Sequence, residues 1–178
     1  MRQWDSMNSE GLAVSVFLIF PSQDSNGNTP GYLSSLKKEY DGGRSFFCTV
    51  MVKDPYKSVP MFKPPGGKND IGESHPYRTG EREVEEETGI VIDLAALSGL
   101  GALQVLADRR VEGARDVGFH RKILYAAVLS EPPPWIKDRG DEGEIVSVFR
   151  LEELWEMADM LPVYYVAMEP LLKCLLGK

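Results

Sequence analysis

The sequence predicts an α/β layered domain with a mixed β-sheet. Three observations support this fold class: several runs rich in β-branched and aromatic residues, strong helix signals in the middle of the chain, and short hairpin-like connections between some of the runs. Helices mixed with strands in this way are typical of a layered domain in which helices cover a sheet. With 178 residues, the chain is long enough for one domain with a substantial core.

The apolar and β-branched runs are the predicted strands. They are Leu12–Phe20, Phe46–Lys53, Ala102–Leu106, Lys122–Leu129 and Ile145–Phe149. The first run has about the length of a signal-peptide core, but acidic residues precede it and no small-residue cleavage site follows. It is also too short to span a bilayer. A buried strand is therefore the better interpretation.

The remaining segments are interpreted as helices and loops of a single domain, residues 1–178. The connection from about residue 21 to residue 44 is rich in turn residues and is predicted to be a surface insertion, with a short helix inside it. Helices are predicted at Pro76–Thr88, Leu151–Met157 and Val163–Leu176, the last interrupted by Pro170. A proline at its start and Gly89 after its end mark the first of these helices.

Composition and charge exclude some classes of function. The net charge of −7 argues against non-specific nucleic-acid binding, which needs a cationic surface. The same charge suits a protein that takes up divalent cations. The two cysteines, Cys48 and Cys174, have no metal-binding or redox spacing and predict buried, reduced thiols in a cytoplasmic protein.

Five glutamates crowd into the predicted helix Pro76–Thr88. They are Glu81, Glu83, Glu85, Glu86 and Glu87. Like charges three or four residues apart destabilise a helix by roughly 0.2–0.5 kcal/mol per pair. On a wheel of about 100° per residue, Glu83, Glu86 and Glu87 converge beside the packing face that carries Val84, whereas the other two diverge.

A divalent cation would offset the repulsion among the three convergent carboxylates. Mg²⁺ prefers hard oxygen ligands at about 2.1 Å, usually a few carboxylates with water and substrate phosphate. The alternative is an acidic helix face exposed to water, and the spacing alone leaves both interpretations open.

The segment before the helix favours the cation. Pro64-Pro65-Gly66-Gly67 is stiff and then flexible, so a backbone carbonyl could approach an ion closely. A phosphate-binding P-loop is excluded, because the GxxxxGK[ST] pattern is absent and Lys68 is followed by Asn69.

These residues together resemble the Nudix box, G-x5-E-x7-R-E-U-x-E-E-x-G-U, in which U is aliphatic. The matching positions are Gly67, Glu73, Arg82, Glu83, Val84, Glu86, Glu87, Gly89 and Ile90. The chain departs from the pattern once, with eight residues between Glu73 and Arg82 in place of seven. We expect the extra residue in the loop Ser74–His75, which leaves the helix intact but puts the placement of Glu73 in doubt.

The resemblance extends over roughly residues 12–154 and implies a Nudix-type α/β/α sandwich with a mixed β-sheet. It implies Mg²⁺- or Mn²⁺-dependent hydrolysis of a nucleoside diphosphate linked to another group X. Glu83, Glu86 and Glu87 would hold the metal with the backbone carbonyl of Gly66 or Gly67. Arg82 would orient the cluster through an ion pair with Glu73, and Gly89 would end the helix.

The general base is a further expectation from the resemblance. In the family it is a box glutamate, here Glu83, or a glutamate from a later loop. Glu144 and Glu142, in the segment GDEGEI, are the candidates in this chain, and Glu144 ranks first. Solvated loop carboxylates are the alternative for both.

Four residues are candidates for substrate binding. Arg109 and Arg110 follow a strand and could contact phosphate, Trp135 could stack on a nucleobase, and Phe62 could line the pocket. The alternatives are solvated arginines, an aromatic loop anchor and core packing.

The expected partner is a small molecule containing a nucleoside diphosphate, with neither a membrane nor non-specific nucleic-acid binding. A homodimer is an open alternative, and X is not identified. Two competing classes share the fold: a nucleotide-binding or sensor module without turnover, and an isomerase of prenyl diphosphates. The first would lack metal glutamates that are all present here, and the second would need a cysteine in a buried pocket.

Overall fold

The computed structural model describes residues 12–22, 47–57, 59–70, 73, 75–97, 100–108 and 119–160, together with 164, 167, 168 and 170. A mixed sheet lies at the centre of this part of the chain. Its strands are β1 (Leu12–Pro21), β2 (Phe47–Lys53), β3 (Phe62–Lys63), β4 (Gly66–Lys68), β5 (Leu100–Asp108), β6 (Phe119–Val128) and β7 (Ile145–Arg150). The order of neighbours is β3-β2-β1-β6-β5, with β4 paired to β1 and β7 paired to β2.

The pairing of β1 with β6 is parallel, whereas the other strand pairs are antiparallel. This confirms the predicted mixed sheet. All five predicted strands are present, and the third and fourth are longer than the sequence indicated. The strands β3 and β4 were not predicted, because two or three residues between prolines and glycines carry no hydrophobic alternation.

The α-helix α1 spans Pro76–Thr88, with the bounds that the sequence predicts. His75 precedes it in an extended conformation, and its Nδ1 accepts a hydrogen bond from the backbone N–H of Tyr77 at 3.2 Å. Gly89 ends the helix in the left-handed conformation with φ of 78°. His75 is therefore a helix cap, a role that the sequence analysis did not give it.

Two hydrophobic clusters cover the two faces of the sheet. Alternate residues of β1 divide between them: Val14, Val16 and Leu18 face α1, whereas Phe17 and Ile19 face the opposite layer. That opposite layer contains the 3₁₀ helix Leu151–Glu156 and the buried residues Met160, Tyr164, Ala167 and Met168. A second 3₁₀ helix, Leu94–Ala96, follows α1. This arrangement confirms the α/β sandwich, and the segment predicted as the helix Leu151–Met157 is a 3₁₀ helix.

Several predicted features lie outside the described residues: the insertion at 21–44 with its short helix, for the most part, most of the helix at 163–176, and Cys174. Cys48 is only partly buried. No helix among the described residues is long and apolar enough to cross a membrane.

Candidate active site

The Gly66–Gly67 pair holds a tight turn against β1. Gly66 pairs with Ser15 and has φ of 154°, and a β-carbon on it would lie 2.1 Å from the carbonyl oxygen of Val14. A β-carbon on Gly67 would lie 2.4 Å from Oε1 of Glu83. Gly66 therefore has room only for glycine, whereas at Gly67 a larger residue would displace the carboxylate of Glu83. The backbone of both residues lies within reach of the carboxylates of α1.

Glu87 is buried and held from both sides. It is 7% exposed, and its Oε2 accepts a hydrogen bond from the N–H of Gly66 at 2.7 Å. Its Oε1 accepts from Nζ of Lys63 at 2.8 Å. Lys63 Nζ also donates to the carbonyl oxygen of Gly66. Burial lowers the pKa of Lys63, but the attraction of Glu87 and the neighbouring Tyr164 and Glu83 outweighs it, so the pKa of Lys63 is raised and the side chain stays charged.

Arg82 forms ion pairs with four acidic side chains around the start and middle of α1. Its Nη1 donates to Glu83 at 2.8 Å and to Glu86 at 2.9 Å, and its Nε donates to Glu73 at 2.9 Å. Nη2 also contacts Asp70 at 3.3 Å. The predicted ion pair with Glu73 is therefore present, and the extra residue in the box does not displace Glu73.

Glu73 links this network to the start of α1. It accepts hydrogen bonds from the N–H of Asp70 at 2.9 Å and from Oγ1 of Thr79 at 2.7 Å. Burial raises the pKa of Glu73, but the hydrogen bonds from Arg82, Thr79 and Asp70 outweigh it and hold the pKa below its usual value. Thr79, a residue that the sequence analysis passed over, is buried and braces the loop.

Glu83 lies between the two networks. Burial raises its pKa to about 7, with repulsion from Glu87 adding to the rise and the guanidinium of Arg82 opposing it. Within the described residues, no three acidic, histidine or cysteine side chains converge closely enough to ligate one metal ion. The three carboxylates of the predicted trio are instead paired with protein cations: Arg82 contacts Glu83 and Glu86, whereas Lys63 contacts Glu87.

The loop before β7 caps the C-terminal end of α1. The N–H of Lys137 donates to the carbonyl of Thr88 at 2.9 Å, and the N–H of Asp141 donates to that of Glu86 at 3.1 Å. Lys137 Nζ adds contacts to the carbonyls of Glu85 and Glu86 at 3.3 and 3.1 Å. The bonds to Thr88 and Glu86 satisfy carbonyls in the last turn of the helix, whereas the carbonyl of Glu85 also accepts from the N–H of Gly89.

This docked loop brings Glu144 close to Glu87. Glu144 is 7% exposed, and repulsion from it contributes to raising the pKa of Glu87, after burial and against the opposing effect of Lys63. Its Oε2 is buried without a hydrogen-bond partner in the described structure, and a β-carbon on Gly140 would lie 2.4 Å from that oxygen. Glu142, the other candidate base, is exposed.

The predicted substrate-binding residues occupy different environments. Phe62 is 8% exposed and packs edge-on against Phe149, with ring centroids 5.0 Å apart, which favours the packing role. Trp135 is 60% exposed, and a β-carbon on Gly89 would lie 2.4 Å from its Cζ3, so it covers the end of α1. Arg109 and Arg110 lie outside the described residues.

A second buried polar group lies on the opposite face of the sheet. The hydroxyl of Tyr164 lies 3.1 Å from Oγ of Ser15 and accepts a hydrogen bond from Nζ of Lys122 at 2.9 Å. Lys122 is 6% exposed. The group ties β1 and β6 to Tyr164.

Comparisons with known proteins agree with this architecture. The family model described as NUDIX domain matches residues 40–169. No curated protein matches the sequence. Among solved structures, the NUDIX domain of Shewanella oneidensis NrtR, complexed with ADP ribose, is similar with 16% identity and a TM-score of 0.57, over 90% of this chain and 87% of that one. A C. elegans Ap4A hydrolase is similar with 16% identity and a TM-score of 0.55, over 92% and 93%.

A bifunctional NMN adenylyltransferase/ADP ribose pyrophosphatase from Francisella tularensis, complexed with AMP and a Mn ion, is also similar. It is 18% identical with a TM-score of 0.60, and the match covers 92% of this chain but 41% of that one. These likenesses concern the fold, whereas the family match covers most of the sequence. These likenesses and the family match agree, and the chain therefore belongs to the NUDIX domain family.

Proposed function

We propose that this protein is a cytoplasmic, divalent-metal-dependent hydrolase that cleaves the pyrophosphate linkage of a nucleoside diphosphate linked to a group X. The observation that carries the proposal is the juxtaposition of two buried or half-buried α1 carboxylates, Glu83 and Glu87, with the Gly66–Gly67 turn and with Glu144. Two structural neighbours were solved with ADP ribose and with AMP, which supports a nucleotide-containing ligand.

The residues present fit a hard divalent cation. Every candidate donor is a carboxylate or backbone carbonyl oxygen, the type that Mg²⁺ and Mn²⁺ prefer. The buried Oε2 of Glu144 has no hydrogen-bond partner in the described structure, and a buried carboxylate oxygen in this state is costly unless a cation or water meets it. Glu83, Glu86 and Glu87, with the carbonyl of Gly66 or Gly67, would hold the ion, as the box predicts.

Each side chain has a separate task in the proposed reaction. A divalent ion held by these residues would neutralise pyrophosphate charge and polarise the attacked phosphorus. Glu144 accepts a proton from the attacking water at Oε2, since that atom is not engaged by another protein group in the described structure. Arg82 is a positioning residue, because its fork fixes Glu83 and Glu86 relative to Glu73.

The test is a hydrolysis screen with Mg²⁺ or Mn²⁺ over nucleoside triphosphates, oxidised nucleotides, ADP-ribose, nucleotide sugars and dinucleoside polyphosphates. Glu86→Gln is the better inactive control, because Glu86 is exposed and its loss leaves no buried charge unpaired. Glu87→Gln would strand the buried ammonium of Lys63. Glu85→Gln, on the exposed side of the same helix turn, is the matched active control.

We expect metal-dependent turnover of one substrate class in the wild type and in Glu85→Gln, and loss of most of it in Glu86→Gln. Full activity of Glu86→Gln with Mg²⁺ would refute the metal assignment. Metal binding without turnover across the whole panel would favour the nucleotide-binding or sensor module.

A further inference from the structure

Lys63 belongs to this site but lies outside the box. It stands on β3, three residues before Gly66, and its side chain is 15% exposed. Both hydrogen bonds of its ammonium within the described structure go to proposed metal ligands, Oε1 of Glu87 and the carbonyl oxygen of Gly66. We propose that the ammonium of Lys63 competes with the divalent cation for these two oxygens and leaves them when the metal binds. This inference rests on the proposed function.

The position of the ammonium is one that suits a cation. A carboxylate oxygen and a backbone carbonyl oxygen converge on Nζ, and these are the two oxygen types that Mg²⁺ and Mn²⁺ take from proteins. The other oxygen of Glu87 accepts a hydrogen bond from the N–H of Gly66 at 2.7 Å, so the carboxylate cannot rotate away from Gly66 without losing that bond. The ammonium and a metal ion cannot both occupy the space between the same two oxygens.

Arg82 does not compete in the same way. Arg82 contacts Glu83 and Glu86, but it also forms bonds to three groups outside the proposed ligand set. These are the side chains of Glu73 and Asp70 and the carbonyl of Lys68. A metal ion that draws two carboxylates away therefore leaves the guanidinium in place. Lys63 by contrast loses both of its hydrogen-bond partners at once, and its flexible stem lets the ammonium move.

The charge balance gives the direction of the effect. Glu87 has two acidic neighbours: its charge raises the pKa of Glu83, and the charge of Glu144 raises the pKa of Glu87. Removing the ammonium without changing the carboxylates makes this neighbourhood more negative, which strengthens its attraction for a doubly charged ion. Lys63 therefore weakens metal binding in the wild type and sets the concentration of divalent cation at which the site fills.

The experiment measures Mn²⁺ binding to the substrate-free protein by the electron paramagnetic resonance of unbound Mn²⁺. The variants are Lys63→Met, which keeps the length of the stem, and Lys63→Gln, which keeps a donor for the carbonyl of Gly66. Lys53→Met is the matched control, because Lys53 forms its ion pair with Asp159 at 3.0 Å outside the proposed site. Circular dichroism melting establishes that each variant is folded.

We expect a Kd for Mn²⁺ about tenfold lower in both Lys63 variants, equivalent to about 1.4 kcal/mol, and unchanged in Lys53→Met. An unchanged or higher Kd in folded Lys63→Met or Lys63→Gln, with clear binding by the wild type, would overturn the inference alone. Absence of Mn²⁺ binding by the wild type would overturn the proposed function on which it rests.

Discussion

Gly89→Ala is expected to loosen the end of α1 and to disturb catalysis through the loop docked there. Gly89 has φ of 78°, a conformation that costs a residue with a β-carbon roughly 1–2 kcal/mol. The new methyl group would also lie 2.4 Å from Cζ3 of Trp135 and 3.0 Å from Cγ of Lys137. Because Trp135 is 60% exposed, it can move outward, and the cost of this overlap is at the low end of about 1–3 kcal/mol.

The two contributions together predict a loss of about 2–3 kcal/mol in the free energy of unfolding. For a chain of this size each 1 kcal/mol lowers the Tm by roughly 2–4 °C, so the expected decrease is about 4–12 °C. Displacement of Trp135 and Lys137 shifts the segment that carries Glu144, so kcat should fall more than KM changes. Urea unfolding and steady-state kinetics measure the two effects.

The control is Val91→Ala, two residues further on. Val91 is 76% exposed and should change stability by less than about 0.5 kcal/mol. If Gly89→Ala were as stable as this control, the conformational argument would be refuted. If it were destabilised with kcat intact, the link from the helix end to Glu144 would be refuted.

Three further predictions concern single side chains. Glu144→Gln should lower kcat by roughly 10²–10⁴-fold in the hydrolysis assay, whereas Glu142→Gln should leave it unchanged because Glu142 is exposed. Glu73→Gln should lower the Tm at neutral pH through loss of the ion pair with Arg82, and the difference from the wild type should shrink as the pH falls through the range where Glu73 becomes protonated. Tyr164→Phe should cost about 1 kcal/mol in urea unfolding, because a buried lysine and a buried serine lose a partner.

The sign of the Glu73 effect follows from its lowered pKa. A carboxylate whose pKa is lower in the folded protein stabilises the fold above its unfolded pKa, and this contribution is lost as the pH falls through the folded value. A difference between wild type and variant that grows towards acid pH would contradict this account. Equal losses of kcat in Glu144→Gln and Glu142→Gln would contradict the assignment of Glu144 as the general base. For Tyr164→Phe, an unchanged midpoint and slope in urea unfolding would contradict the prediction.

The parts of the site that are local in sequence could be predicted, and the parts that depend on tertiary contacts could not. The bounds of α1 follow from Pro76 and Gly89, which act within one turn of the chain. The partnership of Lys63 with Glu87 spans 24 positions and two elements, so no spacing in the sequence indicates it. Glu144 and Glu142 are the same residue type in the same loop. The structure distinguishes them by burial, which follows from the docking of that loop on α1.

The resemblance to the Nudix box supplied what spacing alone could not. Without it, the three convergent carboxylates remained compatible with a solvated acidic face. Glu73 reaches Arg82 even though the chain has one residue more than the pattern between them, and His75 caps the helix that follows.

The parallel pairing of β1 with β6 has a consequence for how the protein is made. Residue 12 pairs with residue 121, so the central pair of strands closes only after most of the chain has left the ribosome. Until then α1 has only part of the sheet to pack on, and its acidic cluster has no Glu144 beside it. Pairings of such long sequence separation slow folding, so we expect the nascent chain to pass through a stage in which the segment of Glu144 has not yet docked on α1.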